Sequence, residues 1–188
     1  MIKMYICNIT DVCDKFNGGK MEKRLEEMKN LELRLFIIEF YRASQLDRSF
    51  SKENMQNKGE FKEALVETCL LLIKCVDKGT LKNSDIRKKI KQLTSIDKNI
   101  SYGPAQKVVN VVLKPYVFLT KKWDFVKELD CPLDSIVMKG CGIKNNTMKS
   151  VTEEDYLAYQ KKFEPDYDGN RVLKDLDYDK NRNENFSR

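Results

Sequence analysis

The sequence predicts an all-α fold, organised as a single-domain helical bundle. Apolar residues recur at intervals of three and four along several segments, which is the period of an amphipathic helix. Strand-like composition is confined to two short pieces, 4–9 and 116–120, and neither has a partner joined by a hairpin turn. With 188 residues, 41% of them hydrophobic and 34% charged, the chain is long enough to bury a core beneath a heavily charged surface.

The first two predicted helices are long and amphipathic. Residues 20–47 carry an apolar stripe between alternating charges, and residues 60–77 repeat the pattern with a more apolar composition. Gly79 is expected to end the second helix, since glycine favours the backbone conformation that follows a helix. The polar residues 48–59 between them indicate a loop.

Two further helices follow around a turn. A short basic helix is predicted over 85–93, with Asn83 or Ser84 as its N-cap. The next helix is predicted over 104–114 and is expected to be interrupted at Pro115, because proline removes a helical hydrogen-bond donor.

Two shorter helices complete the expected bundle. Residues 132–139 begin with Pro132, which suits the first turn of a helix. Residues 152–163 begin with Thr152 as a capping residue and have acidic side chains in the first turn, where they interact favourably with the helix dipole.

Charge is distributed unevenly along the chain. The net charge is +6, but residues 164–188 hold seven acidic and five basic side chains, so residues 1–163 carry +8. We therefore predict a basic helical domain over 1–163 and a polar, loosely ordered extension over 164–188. A basic body of this kind is typical of a domain that binds a polyanion such as a nucleic acid, and it is also compatible with a basic protein that has no such partner.

The chain contains no histidine, which excludes the usual Ser-His-Asp, Cys-His and HExxH enzymes. Any catalyst must therefore be a lysine, carboxylate, tyrosine or cysteine side chain, or a borrowed metal. The six cysteines form no CxxC pair, which predicts reduced thiols, no metal site and no cofactor. Without an apolar run of the roughly 20 residues that span a bilayer, or a secretory signal, the expected location is the cytoplasm, with no membrane partner.

The most distinctive motif is Gly103-Pro-Ala-Gln-Lys107-Val-Val-Asn110-Val-Val-Leu113. A glycine-containing turn precedes an apolar helix, and Lys107 lies one turn inside it. Backbone N–H groups at a helix N-terminus can bind a phosphate. We therefore predict phosphate contacts at Gly103 and Ala105, supplemented by Lys88, Lys89 and Lys91 on the preceding helix.

This motif resembles the hairpin segment of the helix-hairpin-helix DNA glycosylases, whose pattern is Gly-x-Gly-x-Lys-x-Ala-x before an apolar helix. The segment Cys131-Pro-Leu-Asp134-Ser-Ile-Val-Met resembles the same family's Pro-Val-Asp-Thr-His-Val segment. The resemblance covers residues 85–140. It departs from the family pattern in Ala105, which replaces the second glycine, and in the 27-residue interval from Lys107 to Asp134, which requires an insertion.

The resemblance implies a base-excision enzyme with lyase activity, acting in DNA repair. Lys107 would attack the sugar C1′ of a flipped nucleotide, and Asp134 would stabilise the developing positive charge or help activate the amine. Tyr102 and Tyr116 are expected to stack on the ligand, whereas Phe118 and Trp123 are expected in the core.

Two other functions remain open from the sequence. The chain is alternatively an inert binder of nucleic acids or nucleotides, which needs only the basic body and one phosphate-binding turn. It is also compatible with a small helical protein-interaction or inhibitor module that acts through its long charged helix.

Overall fold

The computed structural model describes residues 18–44, 58–97, 99–143 and 147–177. These residues form α-helices and short 3-10 turns, with no strand among them, so the predicted all-α class is confirmed for this part of the chain. The chain divides into two units, Met1–Phe36 and Ile37–Arg188. The strand-like piece at 4–9 and residues 48–57 of the loop predicted over 48–59 lie outside the described residues, whereas residues 58–59 are helical.

Six α-helices are seen in the described residues, and α1 crosses from the first unit into the second. They are α1 (Gly18–Ala43), α2 (Lys58–Asp77), α3 (Asn83–Thr94), α4 (Tyr102–Leu119), α5 (Ser135–Gly140) and α6 (Glu153–Phe163). Three 3-10 turns lie between or after them, at Trp123–Glu128, Met148–Ser150 and Pro165–Tyr167. None of the described helices is both long and apolar enough to cross a bilayer.

Within the second unit, α4 is the central helix. It packs against α2, α3, α6 and the 3-10 turns at Trp123–Glu128 and Met148–Ser150. Its side chains Val108, Val109, Val112 and Leu113 are completely buried. Burial of such side chains supplies about 1.5–3 kcal/mol each relative to exposure, which explains why so apolar a segment lies at the centre.

The structure corrects the predicted end of this helix. Pro115 does not interrupt α4, which continues to Leu119 with Thr120 as its C-cap, so the strand-like piece 116–120 is the end of a helix. Proline removes the donor that the carbonyl of Val111 would normally use. The helix nevertheless continues because Tyr116 and Val117, in the turn after the proline, are buried against the rest of the unit.

Two predicted caps are also corrected. Lys82 is the N-cap residue of α3, while Asn83 bonds across to the 3-10 turn, its backbone N donating to Glu128 Oε2 at 2.8 Å. Pro132 precedes α5 rather than starting it, because Asp134 provides the cap. The cap of α6 is confirmed, since the Thr152 hydroxyl accepts a hydrogen bond from the backbone N of Asp155 at 3.1 Å.

The described part of the predicted extension, 164–177, contains the 3-10 turn Pro165–Tyr167 and a helical turn at 173–177. Val172 is completely buried and Asp175 nearly so. This segment therefore contributes both to the core and to the site described below. The domain boundary at 163 stays a prediction.

Candidate functional site

Lys107 lies on the part of α4 that faces a pocket. Its Nζ donates a hydrogen bond to the backbone carbonyl of Ser44, just beyond α1, at 3.1 Å. The same Nζ lies 3.9 Å from Oδ2 of Asp134, and the two side chains are 18% and 15% exposed. The structure thus brings together the two residues for which the sequence predicts catalytic roles, although they are 27 positions apart.

Asp134 is fixed by its position at the start of α5. Its Oδ1 accepts hydrogen bonds from the backbone N of Ile136 and Val137, both at 2.9 Å. These bonds satisfy N–H groups that lack partners within the helix. Because Oδ1 is held by the helix, Oδ2 is directed toward Lys107.

The segment that leads to Asp134 is buried without being helical, so its backbone polar groups need other partners. Gln106 supplies two bonds to Leu133, donating to its carbonyl at 2.7 Å and accepting from its N–H at 3.1 Å. Gln160 makes the same pair of bonds to Cys131, at 2.7 and 2.9 Å. Each amide side chain thus replaces a strand partner and fixes the path of the chain toward Asp134.

Asp130 anchors this segment electrostatically. The carboxylate is completely buried and accepts hydrogen bonds from Nε and Nη2 of Arg87, at 2.9 and 3.0 Å. Arg171 Nε donates to it at 2.7 Å and the Tyr156 hydroxyl at 3.0 Å. Burial alone would lower the pKa of Arg87, but its bonds to Asp130 raise that pKa instead. The network ties α3, α6 and the segment around Arg171 to one carboxylate.

A second lysine–aspartate pair lines the same pocket. Lys114 lies two turns beyond Lys107 on α4, and its Nζ donates to Asp175. Both side chains are largely buried. The pocket has a volume of about 290 Å³, and the rest of its lining is mostly apolar: Phe40, Ala43, Val111, Pro115 and Pro132. Its two ammonium and two carboxylate groups balance, which favours a ligand without large net charge.

The structure does not expose the predicted phosphate-binding turn. Gly103 and Ala105 are buried, and the Gly103 N–H donates to the carbonyl of Val151 at 3.2 Å. A Cβ added at Gly103 would lie 1.8 Å from the Met148 carbonyl oxygen. The glycine therefore permits close packing of the chain at 148–151, and its amide faces protein rather than solvent.

The predicted basic contacts lie apart from the pocket. Lys88, Lys89 and Lys91 are on α3 and do not line it. Lys89 bonds to Gln92, and Lys91 pairs with Glu153 at 2.7 Å. The pKa of Lys91 is raised by that hydrogen bond.

The predicted stacking residues are core residues in the structure. Tyr102 and Tyr116 are 7% and 8% exposed. The Tyr102 ring packs against Tyr156 at 5.3 Å between centroids, and the Tyr116 hydroxyl donates to Asp77 at 2.7 Å. Burial raises the pKa of both phenols. The α-helical period places these side chains inward, so the stacking role predicted for them is corrected.

Trp123 differs from its prediction in the opposite direction, since a residue predicted to be buried is exposed. The sequence predicts it in the core, yet it is 55% exposed, at the start of the 3-10 turn Trp123–Glu128. Its ring meets Phe118 edge to face, at 5.4 Å between centroids. The neighbouring Lys121 and Lys122 were the available signal, since an aromatic residue directly after two lysines is a poor candidate for burial.

No protein-family model matches this chain, and neither a curated protein nor a solved structure shows significant similarity to it.

Proposed function

We propose that this chain is a nucleic-acid-processing protein of the DNA glycosylase and lyase type, with Lys107 as nucleophile and Asp134 as its charged partner. The observation that carries the proposal is the Nζ–Oδ2 distance of 3.9 Å between two partly buried side chains in one pocket. A nucleophile needs a nearby group that accepts its proton or stabilises charge. In a structure without substrate such a distance is commonly longer than a hydrogen bond.

The pocket supports a small, flat ligand. A volume of about 290 Å³ lies at the lower limit of typical ligand pockets, about 300–1,000 Å³. Apolar walls and balanced charges suit a neutral base with its sugar better than a polyphosphate. An extruded nucleotide presents such a group to a pocket between helices.

The chemistry follows from the two side chains. The Lys107 ammonium loses a proton to the Asp134 carboxylate, and the amine lone pair forms a bond to C1′ of the sugar. The glycosidic C1′–N bond breaks, and the base departs with that electron pair and takes up the proton held by Asp134. The C1′–O4′ bond of the sugar ring then opens as a proton passes from Nζ to O4′, which gives a Schiff base between Nζ and C1′ and permits elimination of the 3′ phosphate.

In the glycosylase pattern that the sequence resembles, the lysine lies just inside the helix that follows the hairpin turn. Lys107 has the corresponding place here, since it lies in the first turns of α4, which follows α3 and a turn, and this position supports the same proposal. The buried Gly103 and Ala105 amides do not take part in phosphate binding in this proposal. The strand must instead be held by exposed cations elsewhere on the second unit.

Borohydride trapping tests the proposal directly, because the reagent reduces a Schiff base to a stable secondary amine. Duplexes that carry an abasic site or a damaged base are incubated with the protein and borohydride, and the covalent adduct is measured by gel shift. We expect an adduct with the native chain and none with Lys107→Gln. Lys74→Gln is the control, since this lysine is exposed on α2 and does not line the pocket, and it should still give an adduct.

Asp134→Asn separates chemistry from folding, because asparagine is also a good N-cap. We expect it to fold normally and to form the adduct at least tenfold more slowly. Adduct formation that persists in Lys107→Gln, or its absence on every substrate, overturns the proposal. Salt-dependent DNA binding without any adduct would favour the inert binder.

A second candidate function is supported by α1. Within the first unit, Met28, Leu31 and Leu35 are 59%, 58% and 53% exposed and lie on one side of the helix. An apolar stripe with this spacing is typical of helix pairing. A role in protein interaction predicts that Leu31→Ser with Leu35→Ser abolishes salt-insensitive association, measured by sedimentation, and leaves trapping unchanged.

A further inference from the structure

The exposed end of α4 carries an aromatic surface that the pocket does not use. Trp123 is 55% exposed and Leu119 is 67% exposed, with the Phe118 ring against the indole. We call Phe118, Leu119 and Trp123 the aromatic platform. Trp123 is the only tryptophan of the chain.

The turn that presents the platform is well defined. Lys121 has φ of 57°, a left-handed conformation that is uncommon for residues other than glycine. The backbone N of Lys122 donates to the Val117 carbonyl at 3.0 Å, and the N of Thr120 to the Tyr116 carbonyl at 3.0 Å. These bonds end α4 and hold the indole at the surface rather than letting it fold inward.

The platform continues the pocket-lining face of α4. Lys107, Val111, Lys114 and Phe118 follow at intervals of four, three and four residues, which places them along one side of the helix. Because a helix rises about 1.5 Å per residue, Lys107 and Phe118 are separated by roughly 16 Å along the axis. A strand of a few nucleotides covers that distance.

The charges around the platform suit a phosphate backbone. Lys121 and Lys122 directly precede the indole, and Asp124 is the only acidic side chain between Leu119 and Lys127. Neither lysine makes an ion pair among the described residues. An exposed aromatic ring flanked by lysines is the arrangement that binds unpaired bases, where the ring stacks and the cations neutralise phosphate.

We propose that the aromatic platform stacks an unpaired base of the strand whose target nucleotide occupies the Lys107–Asp134 pocket. The inference rests on the proposed function and adds to it the part of the substrate that flanks the target. The lysines contact the phosphates next to the stacked base, so binding at the platform depends on salt.

Intrinsic fluorescence provides the first test, since all tryptophan emission comes from Trp123. The protein is titrated with an oligothymidine of about ten nucleotides and with a duplex that contains a short single-stranded gap. We expect quenching by both, and a weaker effect as salt rises. If neither probe quenches the Trp123 fluorescence, the inference is overturned.

Affinity provides the second test. Anisotropy of a labelled gapped duplex needs no tryptophan, so Trp123→Ala is measured in the same way as the native chain. We expect about tenfold weaker binding, in keeping with the loss of one stacked base. Leu71→Ala, at another exposed apolar residue (48%) on α2, is the control and should bind normally. Equal affinity of Trp123→Ala and native protein overturns the inference, provided that circular dichroism shows both folded.

The two proposals fail in different ways. Lys107→Gln should lose the trapped adduct and keep the quenching, whereas Trp123→Ala should form the adduct at saturating DNA. If DNA quenches the Trp123 fluorescence but the native chain forms no adduct, the lyase proposal is refuted and the stacking role of the aromatic platform is retained. A blue shift with anionic phospholipid vesicles and no response to oligonucleotides assigns the surface to membranes. Concentration-dependent quenching of protein alone assigns it to self-association, and each of these two results overturns the inference.

Discussion

Replacing Asp130 by asparagine tests whether the buried carboxylate fixes the segment that carries the site. Asparagine keeps the size of the side chain and removes its charge. The native carboxylate is completely buried and accepts bonds from Arg87, Arg171 and the Tyr156 hydroxyl. The substituted amide places an NH₂ group in this site, where it cannot accept from a guanidinium.

The expected loss of stability follows from what happens to the two arginines. Removing one partner of a buried ion pair costs about 3–5 kcal/mol, because the remaining charge is left without compensation. Arg87 is 27% exposed and regains some hydration, and Arg171, which is only 10% exposed, keeps its ion pair with Glu164 at 3.0 Å. Both effects place the loss at the lower end of that range. We therefore expect a loss of about 3 kcal/mol, which corresponds to roughly 6–12 °C in Tm for a chain of this size.

Urea unfolding followed by far-ultraviolet circular dichroism measures this loss. The control is Glu153→Gln, which removes the exposed pair of Lys91 and Glu153, whose side chains are 67% and 28% exposed. Exposed pairs contribute about 0–1 kcal/mol, so the control should unfold almost like the native chain. A loss below about 1 kcal/mol for Asp130→Asn would show that the network does not stabilise the fold in the way inferred.

Three further predictions concern packing, capping and pH. Gly103→Ala should destabilise the chain by about 1–3 kcal/mol through the clash with the Met148 carbonyl, measured by urea unfolding; native-like stability would contradict this packing. Asp134→Ala should lose about 1 kcal/mol that Asp134→Asn retains, since only asparagine replaces the cap; equal losses would contradict the capping role. Burial raises the pKa of Cys69 from 9.0 to about 12 and also raises that of Tyr156. The folded chain therefore keeps protons that the unfolded chain releases, so the contribution of these two groups to stability is fully present below about pH 8 and is lost as the pH rises further; urea midpoints that do not change between pH 7 and 10.5 would contradict this.

Helix positions were largely predictable because they depend on local periodicity. The segments predicted at 60–77 and 152–163 match α2 and α6 closely. The predicted break at Pro115 was wrong because a local rule about proline was outweighed by burial of the turn that follows it. Caps were less predictable, since Asn83 uses its polar groups for a contact with Glu128, 45 residues away.

Surface and core were hardest to separate for the aromatic residues. The sequence predicts Tyr102 at the ligand and Trp123 in the core, yet Tyr102 is buried against Tyr156 and Trp123 is exposed. The difference depends on which side of α4 faces the unit and on where the helix ends. Lys121 and Lys122 are a local sign that Trp123 is exposed, whereas the burial of Tyr102 depends on Tyr156, which is distant in sequence.

The sequence by itself determined the all-α class, the positions of most helices and the absence of histidine chemistry. It also singled out Lys107 and Asp134, through the resemblance of residues 85–140 to the glycosylase motifs. Only the tertiary structure decided that these two side chains share one pocket with Lys114 and Asp175, that the Gly103 turn is covered, and that Trp123 is exposed. The reason is physical: such proximities depend on how helices pack and on long-range partners such as Asp130, which local sequence does not encode.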